Sequence, residues 1–180
     1  MTIFVAGVHG AGKTFATKPA CLRLGLVHAT ASQLIREERG LVAWDATKVV
    51  TDVDQNQLAL IAAARRIRNG GGTLVLDGHF VLRRAPGEHE RLSIDVFRAL
   101  DCSSILLFRC AVRVLLERLQ ARQDTSWNAA ELADFSEAEE AHGVEVANAL
   151  NIPLVALDMP NSEQVDAVLE RLSGGIGPRG

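Results

Sequence analysis

Five short apolar runs punctuate the chain, at residues 3–6, 26–29, 73–76, 104–109 and 152–157. Four to six apolar residues with little alternation suit a strand buried on both faces. Between these runs the spacing turns helical. It predicts helices over 13–24, 30–39, 52–69, 93–100, 112–122, 129–150 and 162–172. Gly25 and Gly40 stand where helices should stop, Thr30 or Ser32 can cap the second helix, and Gly70-Gly71-Gly72 closes the third. Pro19 removes a backbone donor inside the first helix and should kink or shorten it. In the helix over 52–69, Leu58, Ile61, Ala62 and Ile67 mark the expected apolar side. Residues 41–51 and 81–90 lack clear periodicity and read as a surface connection and a polar loop. Trp44 suits either a core anchor or the wall of a base-binding site.

Strand and helix alternate throughout, which predicts an α/β fold: a three-layer sandwich with a five-stranded parallel sheet covered on both faces. Ligands of such sheets bind beyond the carboxyl ends of the strands. That edge collects the segment after the first strand, Ala29-Thr30, Asp77, Arg109 and Asp158. The length of 180 residues suits a single domain, here over 1–172, with the glycine-rich 173–180 as a flexible tail.

Composition narrows the partners. At 48% hydrophobic and 23% charged residues the chain is ordinary for a globular protein. A net charge of −3 offers no broad basic field, so a nucleic-acid partner is not expected. Three cysteines without metal-like spacing, Cys21, Cys102 and Cys110, read as buried, reduced thiols. No apolar run approaches the roughly 20 residues of a membrane span. The first strand begins at once, so no signal segment and no membrane partner is expected, and the cytoplasm is the expected location.

The chemistry concentrates after the first strand. Gly7-x-x-x-x-Gly12-Lys13-Thr14 has the pattern of a phosphate-binding loop, with a strand before it and a helix after it. Its glycines let successive N–H groups converge on one anion, and the following helix adds the positive end of its dipole. Lys13 can reach terminal phosphates, and the Thr14 hydroxyl can ligate Mg²⁺. Asp77 ends a strand and can hold the same metal opposite Thr14, or it can simply form a turn; Asp158 has the same local form and competes. Arg118 and Arg122 lie four apart on one helix face, either presented to one anion or solvated. His79 can contact a substrate or move a proton, or sit inertly in a loop.

Gly7 to Thr14, Gly25 to Arg36, Leu76-Asp77-Gly78-His79-Phe80 and Leu115 to Arg122 together resemble the small phosphate-loop kinases of the adenylate kinase and nucleoside monophosphate kinase group, in particular its compact archaeal and nuclear branch. The resemblance extends to 137–158 and implies a sheet order of 2-3-1-4-5. It implies ATP along His9, Gly10, Ala11, Gly12, Lys13, Thr14 and Phe15, with Mg²⁺ on Thr14 and Asp77. Lys13, Arg118 and Arg122 are then the catalytic cations, and Arg36, His79 and Arg83 the acceptor-binding residues. The implied lid covers about 123–129. Two departures stand out: His-Phe follows Asp77-Gly78 where the group has Phe-Pro-Arg, and residues 123–140 hold six acids and no arginine. The expected activity is ATP- and Mg²⁺-dependent phosphoryl transfer to a small acceptor, a nucleoside monophosphate or a nucleoside. The alternative is a nucleotide-operated ATPase switch or assembly factor with a macromolecular partner. The chain is short for a ring-forming ATPase with its helical subdomain.

Overall fold

A computed structural model describes residues 1–40 and 52–174. Trp44 and the connection over 41–51 lie outside the described residues, as does the tail beyond Gly174. In chain order the elements are β1 (Thr2–Ala6), α1 (Lys13–Leu24), β2 (Val27–Thr30), α2 (Ala31–Arg39), α3 (Val53–Asn69), β3 (Leu74–Asp77), β4 (Val81–Ala85), β5 (Glu88–Arg91), α4 (Ile94–Ala99), β6 (Cys102–Arg109), α5 (Val112–Ala121), α6 (Ala129–Leu150), β7 (Leu154–Asp158) and α7 (Ser162–Leu172). Five parallel strands form one sheet in the order β2-β3-β1-β6-β7, which is the expected 2-3-1-4-5 order.

Every residue of β1 is buried, and so is every residue of β3, as apolar runs covered from both sides must be. The register pairs Val5 with Asp77, Thr30 with Asp77, and Arg109 with Asp158, so the carboxyl ends of the strands line up along one edge. On one face Phe4, Phe80 and Phe97 meet with ring centroids 4.9–5.2 Å apart, and each is at most 2% exposed. This aromatic cluster anchors the face that carries the site, each ring contributing roughly 2 kcal/mol through burial. Thr30 caps α2 by accepting from the Gln33 N–H, and Gly40 ends that helix at φ 63°. Of the three cysteines expected to be buried only Cys21 is, Cys102 and Cys110 being half-buried; desolvation raises all three thiols, Cys21 and Cys102 to about 12.

Two expectations need correction and one narrows. α1 spans the expected Lys13–Leu24, so Pro19 does not shorten it. The carbonyl that Pro19 leaves without its helical donor belongs to Phe15, which is largely exposed, so water can satisfy it. The buried side of α3 is Asn56, Gln57, Leu60, Ala63 and Ala64, whereas Leu58 and Ala62 are exposed. Alanines let α3 sit close, and the two amides point inward because they border a cavity rather than solid core. Residues 81–90 are not a loop. β4 and β5 pair antiparallel, Ala85 opposite Glu88, around Pro86-Gly87 with Gly87 at φ 77°. Proline followed by a positive-φ glycine is the signature of a type II turn.

Candidate functional site

The loop between β1 and α1 curls with Gly7, Gly10 and Gly12 at φ 137°, 85° and 92°. A Cβ on Gly7 would lie 2.5 Å from the Phe108 carbonyl oxygen, so that position admits no side chain. Gly12 caps α1 without a side-chain acceptor, and the first turn of α1 holds no acidic residue. The leading N–H groups of that helix therefore have no side-chain partner from the cap, and they fit a phosphate.

Lys13 is 7% exposed and folds across the loop. Its Nζ donates to the Gly7 carbonyl at 2.5 Å and lies 3.7 Å from Oδ1 of Asp77. The Thr14 hydroxyl donates to Oδ2 of Asp77. Loop, helix and β3 thus bring one cation, one hydroxyl and one carboxylate together. Asp158 is not part of this group; it lies on β7 and pairs with Arg109 at 3.3 Å. The Thr14 and Asp77 oxygens are hard donors, adjacent and of the kind Mg²⁺ takes, so these residues fit that ion. Among the described residues no cluster of three or more His, Cys, Asp or Glu forms a metal site by itself.

From this group a cavity of about 870 Å³ extends between α2, α3 and α4 on one side and the β4–β5 hairpin on the other. His9, Gly10, Gly12, Lys13, Thr14, Phe15, Asp77, His79, Arg83 and Arg122 line it, whereas Ala11, Arg36 and Arg118 do not. Arg118 instead donates to the Gly10 carbonyl at 3.0 Å and braces the loop from its far side. Arg122 ends α5 at the mouth, beside Gln123 and Asp124. Arg83 is already engaged. It grips Glu131 with two nitrogens, at 2.7 and 2.9 Å, and its guanidinium lies 4.0 Å from the Trp127 ring centroid.

Sequence reasoning missed two carboxylates that frame the site. Glu139, 1% exposed on α6, accepts from the N–H of Gly7 at 3.3 Å, Phe80 at 2.9 Å and Val81 at 2.8 Å. It ties the phosphate loop to the start of the hairpin. Burial raises its carboxyl above the usual range, opposed by Lys13 and by the three N–H donors. Glu131 accepts from Arg83 and from the Gly87 N–H at 3.1 Å. Burial disfavours its charge, but Arg83 and Gly87 outweigh that and hold it below its ordinary value. These two acids read as lid charge in the sequence; they are fastenings. Nothing in the local pattern marks Glu139. Glu131 follows Asn128 by three, and Asn128 does cap α6 through the Glu131 N–H, so a helix start was legible there, though the grip on Arg83 was not.

His79 stacks near His9 with ring centroids 4.3 Å apart. Burial and the nearby Lys13 charge push its pKa down to about 3, so it is neutral at physiological pH. Its Nδ1 is 3.4 Å from Oε1 of Glu139, outside hydrogen-bond geometry.

Sheet order, loop and lysine–threonine–aspartate group define a phosphate-loop nucleoside-triphosphate-binding α/β domain. Residues 6–133 match the family described as AAA domain, and the chain belongs to that family. Past β7 the described residues hold the single helix α7 and no helical subdomain. No curated protein matches the chain in sequence. Among solved structures, a sugar kinase from Janibacter sp. HTCC2649 superposes with a TM-score of 0.57 at 18% identity, covering 97% of this chain and 95% of that one. Shikimate kinase from Acinetobacter baumannii, in complex with shikimate, gives 0.57 at 16% identity over 98% and 95%. Deoxyadenosine kinase from M. mycoides gives 0.54 at 11% identity over 97% and 100%. At these identities the likeness is one of fold. No helix among the described residues is long and apolar enough to cross a membrane.

Proposed function

We propose that this chain transfers the γ-phosphoryl group of ATP to a small acceptor, a nucleoside monophosphate or a nucleoside, with Mg²⁺ as cofactor. The observation that carries this reading is the continuity of the cavity. One end is the phosphate loop with Lys13, Thr14 and Asp77, and the other is an internal chamber walled by α2, α3 and α4. A switch that only hydrolyses ATP needs the first end; the second end makes room for an acceptor. The kinase folds among the structural neighbours support the same reading.

In this mechanism the loop N–H groups and the α1 N-terminus bind the phosphates, and Lys13 places its charge where negative charge spreads during transfer. Arg122 faces the same cavity, and Arg118 holds the Gly10 carbonyl so that the loop keeps its shape. Thr14 and Asp77 would hold Mg²⁺, which when bound offsets phosphate charge. The acceptor oxygen forms a bond to the γ-phosphorus as the bond to the β,γ-bridging oxygen breaks. ADP leaves with that electron pair, and the proton of a hydroxyl acceptor is released to water. His79, neutral to about pH 3, orients rather than titrates.

The test is incubation with Mg²⁺ and γ-labelled ATP against nucleosides, nucleoside monophosphates and small alcohols. Label on one of these supports the proposal. Label appearing only as free phosphate, and then only when a macromolecule is added, overturns it in favour of the switch.

A further inference from the structure

We infer that Arg83 is a positioning residue: it holds Trp127 as a fixed roof beside the phosphate loop, and this roof keeps water from the γ-phosphoryl group. The inference rests on the phosphotransfer reading above and takes Arg83 out of the acceptor-binding residues expected from the sequence.

Arg83 lies on β4 and reaches across to the segment between α5 and α6. Its Nε and Nη2 grip the Glu131 carboxylate at 2.7 and 2.9 Å. Its Nη1 donates to the Ser126 hydroxyl at 3.2 Å and its Nη2 to the Ser126 carbonyl at 2.6 Å. The Gly87 N–H, at the hairpin turn, reaches the same Glu131 carboxylate at 3.1 Å. Ser126 is held from its other side by Asp124, which accepts from its N–H at 3.2 Å and its hydroxyl at 2.7 Å. Trp127 follows Ser126 directly, and the Arg83 guanidinium lies over its ring, 4.0 Å from the centroid. A two-pronged, charge-assisted grip thus ties this segment to the hairpin.

The ring held in this way borders the reacting end of the cavity. Trp127 lines that cavity together with His9, Lys13, Thr14 and Asp77. Its ring centroid is 6.1 Å from that of His9 in the phosphate loop and 5.3 Å from that of Phe135. Residues 123–140 contain no arginine, so this segment brings the loop an aromatic wall instead of charge. Water competes with an acceptor wherever it reaches the γ-phosphorus. In that side reaction a water oxygen bonds to the phosphorus while the bond to the β,γ-bridging oxygen breaks; ADP and phosphate leave, and a proton passes to solvent. An apolar ring gives water no hydrogen-bond partner at this wall, and a dry wall suppresses the side reaction.

The competing role for Arg83 is to bind an anionic acceptor, since it too lines the cavity. To do so it would have to release Glu131, whose side chain is 5% exposed. That carboxylate would then be a buried charge without its cation, which is strongly unfavourable. The four hydrogen bonds and the stacking on Trp127 also use the planar fork in the one orientation that satisfies them together. Arg83 therefore stays with the roof.

The experiment measures release of free phosphate from γ-labelled ATP with Mg²⁺, first without acceptor and then with nucleosides, nucleoside monophosphates and small alcohols. Trp127→Ala should raise acceptor-free hydrolysis about 10-fold over wild type, and Trp127→Phe, which keeps a ring, should stay within about 2-fold of it. The double variant Arg83→Met/Glu131→Gln removes the grip without leaving a buried charge and keeps an amide oxygen for the Gly87 N–H. It should also raise hydrolysis about 10-fold, with KM for the acceptor within about 2-fold of wild type. In a Trp44→Phe background Trp127 is the one remaining tryptophan, and its emission should shift to the red in the double variant. A merely structural role would lower hydrolysis and transfer together. If Trp127→Ala does not fold, the double variant and the emission shift decide alone. Hydrolysis at or below the wild-type rate overturns the inference, as does unshifted emission. A double variant that raises the acceptor KM 10-fold or more with hydrolysis unchanged overturns it in favour of acceptor binding by Arg83. Absence of label on any acceptor with the wild-type chain overturns the phosphotransfer reading instead, and the acceptor-free arm still decides whether the roof excludes water.

Discussion

Glu139 and Lys13 are two of the buried ionisable groups on which the site turns, and they differ in how a sequence can reveal them. Lys13 sits in a fixed spacing with Gly7, Gly12 and Thr14, because phosphate binding requires glycine torsions and a cation at set intervals along one turn. That chemistry is local and therefore legible. Asp77 was legible for a related reason: it ends an apolar strand whose edge the fold class makes functional. Glu139 binds backbone N–H groups 132, 59 and 58 residues away, and any sequence supplies such groups, so no pattern marks it. Lys13→Ala should lower transfer about 10³-fold, the scale of a lost transition-state charge contact, measured as kcat with saturating ATP. Glu139→Ala leaves three buried N–H groups unpaired and should cost at least about 3 kcal/mol, read from the denaturant midpoint. Glu139→Gln keeps one acceptor oxygen for Phe80 and Val81 and should cost roughly 1 kcal/mol.

At the scale of elements, the periods of strands and helices carried the layered architecture, and the five parallel strands fall where apolar runs predict them, within a residue or two at most ends. The hairpin β4–β5 escaped because its strands are charged and neither alternates cleanly; only Pro86-Gly87 announced it. The buried side of α3 escaped because it contains two amides and two alanines, which a search for large apolar residues passes over. Both misses lie along the cavity, where function asks for polar groups inside and for close backbone approach. α6 shows the same trade. Gly143 lies mid-helix, where glycine normally costs about 1 kcal/mol relative to alanine. Here an added Cβ would come within 2.9 Å of the Phe80 ring. That ring is fully buried against Phe4 and Phe97 and has no room to yield. Gly143→Ala should therefore destabilise by about 1–2 kcal/mol, against its helix propensity, because overpacking outweighs the backbone gain. Chemical denaturation of the variant beside wild type decides the sign.

For the whole molecule, the site makes itself felt in the response to acid. His79 is enclosed by groups from four places: His9 on the phosphate loop, Lys13 on α1, Asp77 on β3 and Glu139 on α6. Burial, then Lys13, lowers its pKa from the ordinary 6.5 to about 3 in the fold. Between those values the unfolded chain binds a proton that the folded chain refuses. Unfolding therefore takes up protons, and stability contributed by His79 falls as pH drops from 6.5 toward 3, with a limiting slope of about 1.4 kcal/mol per pH unit. His28, also lowered chiefly by burial, acts in the same sense. Glu131, held below its ordinary value, loses its contribution as the pH falls further, below 4.5. Glu139 works the other way: its raised pKa means the fold retains a proton above 4.5, which favours the folded state as the solution is acidified. Because the terms oppose one another, the informative quantity is a difference. Stability of wild type minus that of His79→Leu, followed by urea unfolding from pH 7.5 to 4, should decline on acidification and be nearly level above about pH 7. A difference that stays constant across the range would mean that His79 carries its ordinary pKa and that burial does not disfavour its charge at the loop end of the cavity.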